Sequence, residues 1–319
     1  MRAAIVNAFG SPPVFGDFPE PQANDGEMVV RVLAAPLSPI VKSLAAGKHY
    51  ASSTSTSTSA GFIPGIDGVG TDAEGRRVYF LFPKPPFGSM AEKALVSSSS
   101  VVPVPDGVTS ERAAAVVTAG LSSWVALTLR TRFQRGESVL INGATGSAGG
   151  LAVQIAAHLG ASRVIATGRN KAKLAALPPG IEKIVLDASA DEALKMAFAG
   201  KVDIVLDYLW GEPASRVIAG ATTGRGSRQG EPRLRFVQMG SIAGETISLS
   251  AHSLRSSGLE ILGSGIGSVS MNDLVGGAGQ LLAATPAGKF DTPVSTFPLA
   301  SVSEAWLDES DDRRLVLLP

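Results

Sequence analysis

Two different patterns of apolar and polar positions divide the chain into two parts. Before residue 118, short apolar runs with partial alternation are broken by frequent glycine and proline turns, which predicts a compact β barrel-like domain. Beyond that point, apolar runs of strand length alternate with segments of helical periodicity, as in a doubly wound α/β domain. Six such runs predict one parallel sheet of six strands: 138–142, 163–167, 183–186, 202–207, 234–238 and 260–262.

The end of the chain predicts a return to the first domain. A last helix is expected at 271–284, and apolar residues at 297–299 and 315–318 then resemble strands of the first domain. We therefore place the first domain at 1–118, completed by 289–319, and the second domain at 119–288.

The glycine turn after the first of the six runs is the most informative stretch. Gly146 and Gly149 stand three residues apart, like the last two glycines of Gly-x-Gly-x-x-Gly, and Ala144 stands at the first glycine position. The middle glycine lets the backbone approach a pyrophosphate, and the last lets the helix pack closely on the strand. The helix also offers its first N–H groups to phosphates. The turn is therefore predicted to bind a dinucleotide through Ala144, Thr145, Gly146, Ser147, Ala148 and Gly149.

The end of the second run predicts which dinucleotide is bound. An NAD site usually places Asp or Glu here to bind the ribose hydroxyls, whereas this chain has Gly168, Arg169 and Asn170. A carboxylate would repel a 2′-phosphate, and a guanidinium can pair with it in a forked geometry. We therefore predict NADPH as the cofactor, held by these three residues. The alternative is a solvated arginine just past a strand.

Composition limits the chemistry that is open to the chain. The 28 Lys and Arg residues balance 28 Asp and Glu residues, so charge gives no indication of a nucleic-acid or membrane partner. We see no apolar run of membrane-spanning length and no signal peptide, and we expect a cytoplasmic protein. The absence of cysteine from all 319 residues excludes disulfides, thiol catalysis and Cys-containing zinc sites.

Two polar segments are predicted to be solvent-exposed and not to form a binding site. The Ser/Thr tract 51–59 cannot build a core, so we expect a surface loop. The segment 222–235 connects a helix to a strand, and such connections lie at the sheet edge opposite to the ligand site. We therefore expect a solvated insertion there, although the segment contains four arginines: Arg225, Arg228, Arg233 and Arg235.

Five stretches carry a family resemblance that covers essentially the whole chain: 64–70 (PGIDGVG), 88–92 (GSMAE), 104–107 (VPDG), 118–121 (TAGL) and 143–149 (GATGSAG). In this order and spacing they resemble the zinc-independent quinone oxidoreductase branch of the medium-chain dehydrogenase/reductase superfamily. The resemblance implies a GroES-like catalytic domain, a Rossmann domain, a cleft between them and often a dimer. It also implies that two loops hold the nicotinamide end of the cofactor: Met239, Gly240 and Ser241, and Gly263, Ser264 and Gly265.

The same resemblance argues against a metal. In zinc-dependent relatives a Cys stands near Ser38 and a Gly-His-Glu unit stands where this chain has residues 65–67, Gly-Ile-Asp. A catalytic zinc needs three protein ligands, and neither of these is kept. Two departures from the quinone oxidoreductase pattern leave substrate recognition open: 38–41 reads Ser-Pro-Ile-Val in place of Asn-Pro-x-Asp, and the stretch 70–77 is shortened.

The expected chemistry is hydride transfer to a quinone or an α,β-unsaturated carbonyl. The charge that develops on the substrate oxygen then needs only a hydrogen-bond donor. Tyr50 is the first candidate for that donor, because the resemblance aligns it with a tyrosine near the active site of relatives; alternatively, its ring only walls the cleft. Ser38 and Thr118 are further catalytic candidates, and Asp67 is expected to orient backbone.

Three other functions compete with this hypothesis. A zinc alcohol dehydrogenase is opposed by the missing ligands. A short-chain dehydrogenase would carry Tyr-x-x-x-Lys, and no tyrosine of this chain is followed by lysine at that spacing. An NADPH-binding sensor or structural protein without catalysis stays open, because binding and catalysis use different residues.

Overall fold

The computed structural model describes residues 1–50, 52, 61–309 and 313–319, so the Ser/Thr tract 51–59 lies, apart from Ser52, outside the described residues. The chain divides into two compact units, Met1–Leu121 with Ser270–Pro319, and Ser122–Val269. The helix that follows residue 270 belongs to the first unit, whereas the sequence analysis places it in the second domain.

The strands of the described residues are β1 (Arg2–Ile5), β2 (Val14–Asp17), β3 (Glu27–Leu37), β4 (Asp67–Thr71), β5 (Arg77–Leu81), β6 (Lys93–Ser97), β7 (Val101–Pro103), β8 (Ser138–Asn142), β9 (Arg163–Gly168), β10 (Glu182–Val185), β11 (Ile204–Asp207), β12 (Leu234–Gln238), β13 (Leu259–Gly263), β14 (Val294–Pro298) and β15 (Arg314–Leu318). The helices are α1 (Pro39–Ala45), α2 (Ser110–Val125), α3 (Ser147–Leu159), α4 (Lys171–Ala175), α5 (Ala190–Ala199), α6 (Gly211–Thr222), α7 (Ala251–Arg255), α8 (Met271–Gly288) and α9 (Val302–Leu307).

The first unit is built on a mostly antiparallel sheet. Its seven-stranded sheet runs β14-β15-β3-β4-β5-β7, with β6 also paired to β3, and β1 and β2 form a separate pair. Two stretches of the family pattern meet here, because the N–H groups of Ser89 and Met90 donate to the carbonyls of Gly65 and Pro64. Gly65 has φ +111, and a Cβ on it would lie 2.1 Å from Ser89 Oγ. The two stretches therefore depend on each other through close backbone packing.

The second unit is a parallel sheet with helices between its strands. Its strand order is β10-β9-β8-β11-β12-β13, the doubly wound order of dinucleotide-binding domains. All five residues of β8 are buried, which explains why the central strand reads as a run without alternation. The predicted α/β fold class and the six strands are confirmed. Three starts differ from the predicted runs by one or two residues, because β10 begins at Glu182, β11 at Ile204 and β13 at Leu259.

One helical segment differs from the expectation that no apolar run reaches membrane-spanning length. Helix α2 and the π-helical turn after it, Ser110–Arg130, form a segment of 21 residues that is long and apolar enough to cross a membrane. Of its most apolar window, 67% is buried inside the protein. A core helix of a soluble protein passes the same test of length and composition.

The arginine-rich segment is less solvated than predicted. Arg235 lies in β12 and is only 5% exposed; it pairs with Glu137 and donates to the carbonyl of Thr131 at 2.7 Å. Arg225 donates to the carbonyl of Phe198 at 2.9 Å. The prediction of a solvated insertion is therefore wrong for these two arginines, because their guanidinium groups satisfy backbone carbonyls that the sequence pattern does not reveal.

Candidate functional site

The glycine turn between β8 and α3 places each glycine where the backbone needs it. A Cβ on Gly149 would lie 2.2 Å from the carbonyl oxygen of Gly143, whereas a Cβ on Gly146 would meet nothing within 4 Å. Gly149 therefore lets α3 pack onto the turn, and Gly146 leaves open space beside it. The left-handed residue is Gly143, with φ +97. This is why Ala144 can stand at the first glycine position of the pattern.

The end of β9 explains the missing carboxylate. A Cβ on Gly168 would lie 2.7 Å from Cγ2 of Thr145, so a larger residue here would have to displace the Thr145 side chain. The next residue, Arg169, is exposed and forms no ion pair with a carboxylate of the described residues. Asn170 has a structural task, since its Oδ1 accepts the Lys173 N–H at 3.0 Å and caps α4. Arg169 thus presents a positive charge to solvent directly after β9.

The loops after β12 and β13 leave the same edge of the sheet. The first begins at Met239, whose N–H donates to the carbonyl of Asp207 at 2.8 Å. The second follows Gly263 and begins at Ser264, whose N–H donates to the carbonyl of Gln238 at 2.9 Å. Three further loop residues predicted to bind the cofactor, Gly240, Ser241 and Gly265, are bonded or packed locally: a Cβ on Gly240 would lie 2.7 Å from the Tyr208 carbonyl, Ser241 donates to Glu245, and Gly265 donates to Ser268.

Sequence reasoning missed Arg130, which holds the second of these loops. Its Nε donates to the carbonyl of Gly263 at 3.0 Å, and its guanidinium also donates to the carbonyl of Ser268 at 3.2 Å. The arginine and Gly263 are 133 residues apart, so no local pattern signals the contact.

A second missed residue is Asp207, at the carboxyl end of β11. Its carboxylate is fully buried. Burial raises the pKa of Asp207 to about 6, although hydrogen bonds from the Asn142 amide and from the N–H groups of Leu209 and Trp210 favour its ionised form.

The first unit carries a buried polar cluster at the start of β4. The carboxylate of Asp67 accepts hydrogen bonds from the hydroxyls of Tyr79 and Thr118, so its described bonds go to side chains and not to backbone as expected. Burial raises the pKa of Asp67 to about 6, against those two bonds and the charge of Arg314. Burial and the neighbouring carboxylate also raise the pKa of Tyr79 well above its usual value.

This cluster limits what Thr118 can do. A threonine hydroxyl has one proton, and Thr118 donates it to Asp67. While Asp67 is ionised, Thr118 can offer a substrate lone pairs but no proton. Ser38, the residue before α1, differs: its Oγ is buried and has no hydrogen-bond partner among the described residues.

Tyr50 lies apart from this buried chemistry. It is 69% exposed, and its ring is stacked on His49 with centroids 4.1 Å apart and an interplanar angle of 33°. Burial lowers the pKa of His49. No group of three or more His, Cys, Asp or Glu side chains in the described part of the chain could hold a metal ion.

Comparison with known proteins finds relatives that match the chain over its whole length. No family model matches the chain. A probable NADPH-dependent quinone reductase of Emericella nidulans is 29% identical over an alignment that covers 100% of both proteins. The solved quinone oxidoreductase of Thermus thermophilus, described with its NADPH complex, is also 29% identical, with a TM-score of 0.79 and full coverage of both chains. Over its whole length the chain is thus similar to the quinone oxidoreductase branch of the medium-chain dehydrogenase/reductase superfamily.

Other members of this branch agree. The mouse quinone oxidoreductase is 27% identical to the chain over 78% of it and 81% of the mouse protein. The fold, a mostly antiparallel sheet and a six-stranded parallel sheet, matches the Thermus structure over its whole length. These whole-length relatives support an oxidoreductase role for the chain.

Proposed function

We propose that the chain reduces a quinone or an α,β-unsaturated carbonyl compound with NADPH. The observation that carries the proposal is the glycine turn together with the end of β9, where Gly168 packs against the Thr145 side chain in place of a carboxylate residue and Arg169 is exposed. An NAD-type site would need that carboxylate. The names of the relatives support a quinone as one substrate class.

The cofactor of this chain is NADPH, and the residues present fit it. The open space beside Gly146 is a cradle that a side chain would fill. The N–H groups of Ser147 and Ala148 belong to the first turn of α3 and lack partners within that helix, so they can donate to phosphate oxygens. Arg169 would pair with the 2′-phosphate. When bound, NADPH supplies the hydride.

The first unit would supply the proton chemistry. In our proposal Tyr50 donates a hydrogen bond to the oxygen of the substrate, where negative charge develops. Ser38 has an uncommitted hydroxyl and would be a second donor. Thr118 would act through its lone pairs, because its hydroxyl proton is donated to Asp67 in a hydrogen bond. We further propose that the protein works without a metal, is located in the cytoplasm and forms a homodimer.

NADPH consumption by purified, EDTA-treated protein tests this function, with NADH in parallel. The acceptors are a quinone, an enone, a saturated aldehyde and none. Turnover of the quinone or the enone with NADPH supports the proposal and decides between the two substrate classes. Tight NADPH binding without turnover of any acceptor would instead favour a sensor or structural role. Loss of activity after chelation would contradict the metal-free part of the proposal.

Replacing Arg169 tests the cofactor site. Arg169→Ala removes a charged partner of the 2′-phosphate, so NADPH affinity should fall by roughly ten- to a hundredfold while NADH affinity stays the same. Lys171→Ala is the matched control, because Lys171 stands two residues away, is exposed and faces Asp187 at 3.9 Å. Equal losses for NADPH and NADH, or an equal loss in the Lys171 variant, would remove the specific role of Arg169. Titration of cofactor binding by fluorescence measures all three.

Replacing Tyr50 tests the proton donor. Tyr50→Phe keeps the ring and its stacking on His49 but removes the hydroxyl, so turnover should fall by at least about tenfold with NADPH affinity unchanged. The measurement is kcat for the accepted substrate together with the cofactor dissociation constant. Unchanged turnover would leave Tyr50 as a wall residue only.

A further inference from the structure

Three buried polar side chains stand side by side at the carboxyl ends of β9, β8 and β11. Strand pairing places Thr167 opposite Asn142 and Asn142 opposite Asp207, and each is 0% exposed. Thr167 Oγ1 donates to Asn142 Oδ1 at 2.7 Å, and Asn142 Nδ2 donates to Asp207 Oδ1 at 2.7 Å. We name these three residues the polar row. Groups this deeply buried are costly unless every one is paired, and these three pair with each other.

One end of the polar row carries the glycine turn. The carbonyl of Thr167 accepts the N–H groups of Gly143 and Ala144 at 3.2 and 2.9 Å. Gly143 is the left-handed residue of the turn. The position of Thr167 relative to Asn142 therefore sets where the turn leaves the sheet.

The other end carries the loops further along the sheet edge. The Asp207 carboxylate accepts the N–H groups of Leu209 and Trp210 at 3.2 and 3.0 Å. Trp210 has φ +53. Residues other than glycine rarely adopt this backbone conformation, so the surrounding structure must stabilise it. The carbonyl of Asp207 also accepts the N–H of Met239, the first residue of the loop after β12.

We propose that the polar row is a positioning network for the cofactor. It fixes the distance between the glycine turn and the loops after β11 and β12, so that one NADPH molecule can contact both. The inference rests on the proposed function, which places the phosphates on the turn and the nicotinamide end at Met239, Gly240 and Ser241. None of the three row residues needs to touch the cofactor itself.

Removing the middle residue tests the network. Asn142→Leu keeps the size of the side chain and breaks both bonds of the row, and Thr167→Val breaks one bond with little change of shape. We expect NADPH affinity to fall by about tenfold in the Asn142 variant and by about threefold in the Thr167 variant. We expect 2′,5′-ADP, which lacks the nicotinamide half, to bind within about twofold of its wild-type affinity, because each loop by itself keeps its shape.

Ser138→Ala is the matched control. Ser138 bonds Asp203 with its hydroxyl at 2.8 Å, and this pair joins β8 to the start of β11 at the opposite end of the same strands. The control variant should also lower the melting temperature, but it should leave NADPH affinity unchanged.

Each outcome decides something. If the wild-type protein does not bind NADPH, the proposed function fails. If it binds NADPH and the two row variants bind it equally well, the network inference fails. An equal loss of 2′,5′-ADP and NADPH affinity would show local distortion of the turn and would also overturn the inference. If Asn142→Leu does not fold, Thr167→Val decides alone.

Discussion

Two buried aspartates join β8 to β11, one at the amino ends of the strands and one at their carboxyl ends. At the amino end, Asp203 accepts the hydroxyl and the N–H of Ser138 at 2.8 and 2.9 Å. At the carboxyl end, Asp207 accepts the amide of Asn142 at 2.7 Å. The two bridges are alike in length, but the pKa values of their carboxylates shift in opposite directions. Burial alone would raise both values; hydrogen bonds from Ser138 and the charge of Lys201 outweigh it and lower the pKa of Asp203, whereas the pKa of Asp207 stays raised at about 6.

The difference follows from what each end of the sheet has to hold. The amino end only closes the fold, so its carboxylate can take every available donor, including Lys201 at 3.3 Å. The carboxyl end is where open parallel sheets bind ligands. A lysine beside Asp207 would stabilise its charge, but it would also place a cation beneath the cofactor loops. A costly buried carboxylate with neutral donors is therefore what we expect of an edge built for positioning, not for stability alone.

Substitution of the turn glycines should have the largest effect at the carboxyl edge. Gly149→Ala would place a Cβ 2.2 Å from a backbone oxygen, and we expect a loss of more than about 3 kcal/mol in the free energy of unfolding. Gly146→Ala meets no atom within 4 Å, so it should keep its stability and lose NADPH affinity by roughly tenfold or more. Urea unfolding and cofactor titration measure both. The different roles given to these two glycines would be contradicted if Gly149→Ala were as stable as wild type or if Gly146→Ala bound NADPH equally well.

The two aspartates should give stability profiles of opposite sign with pH. The pKa of Asp207 is raised from 3.8 to about 6 in the folded protein. The folded state therefore keeps a proton that the unfolded state releases, and the stability from this group falls by about 2 kcal/mol as pH rises from 4 to 7. Asp207→Asn should remove this fall, so that the difference in unfolding free energy between variant and wild type grows with pH. Asp203→Asn should act in the other direction, because a lowered pKa contributes stability at neutral pH that is lost in acid.

Urea unfolding at several pH values between 4 and 7 measures this prediction. Asp67 also has a pKa raised to about 6, so the wild-type profile contains its contribution as well. Only the change that each substitution makes to the profile is therefore informative. Profiles that shift in the same direction for both variants would contradict the comparison between the two ends of the sheet.

The sequence predicts most of this fold because its signals are local. An apolar run of strand length and the spacing of Gly146 and Gly149 depend on residues close in the chain. The fold class, the six strands and the cofactor were predicted on that basis. The pattern puts Ala144 at its first glycine position but says nothing about φ. In the structure the left-handed residue is the neighbouring Gly143.

What the sequence could not predict depends on strand register. Asn142 and Asp207 are 65 residues apart, and they meet only because β8 and β11 are neighbours in the sheet. Asp67 was visible as a carboxylate, but its bonds to Tyr79 and Thr118 come from residues 12 and 51 positions away. The packing of α8 also depends on distant residues, because this helix contacts β7, which is far away in sequence.

Arg235 offers the last and smallest test of the two ends. It is the second residue of β12, near the amino end of the strand, where it is 5% exposed and pairs with Glu137, whose side chain is 21% exposed. Arg235→Met keeps an unbranched side chain of similar length and leaves the carboxylate without its partner. Because Glu137 keeps some contact with water, we expect the unfolding free energy to fall by about 2 kcal/mol, less than for a fully buried pair.

The affinity for NADPH should be unchanged in Arg235→Met, because the substitution lies at the end of β12 opposite to Met239. Arg233→Met is its matched control: Arg233 pairs with Glu260 at 2.7 Å, but its side chain is 62% exposed, so we expect little loss of stability. Thermal unfolding and cofactor titration of both variants give the answer. If Arg235→Met weakens NADPH binding as much as Asn142→Leu does, then strain spreads through the whole sheet, and the separation of a structural end from a positioning end is wrong.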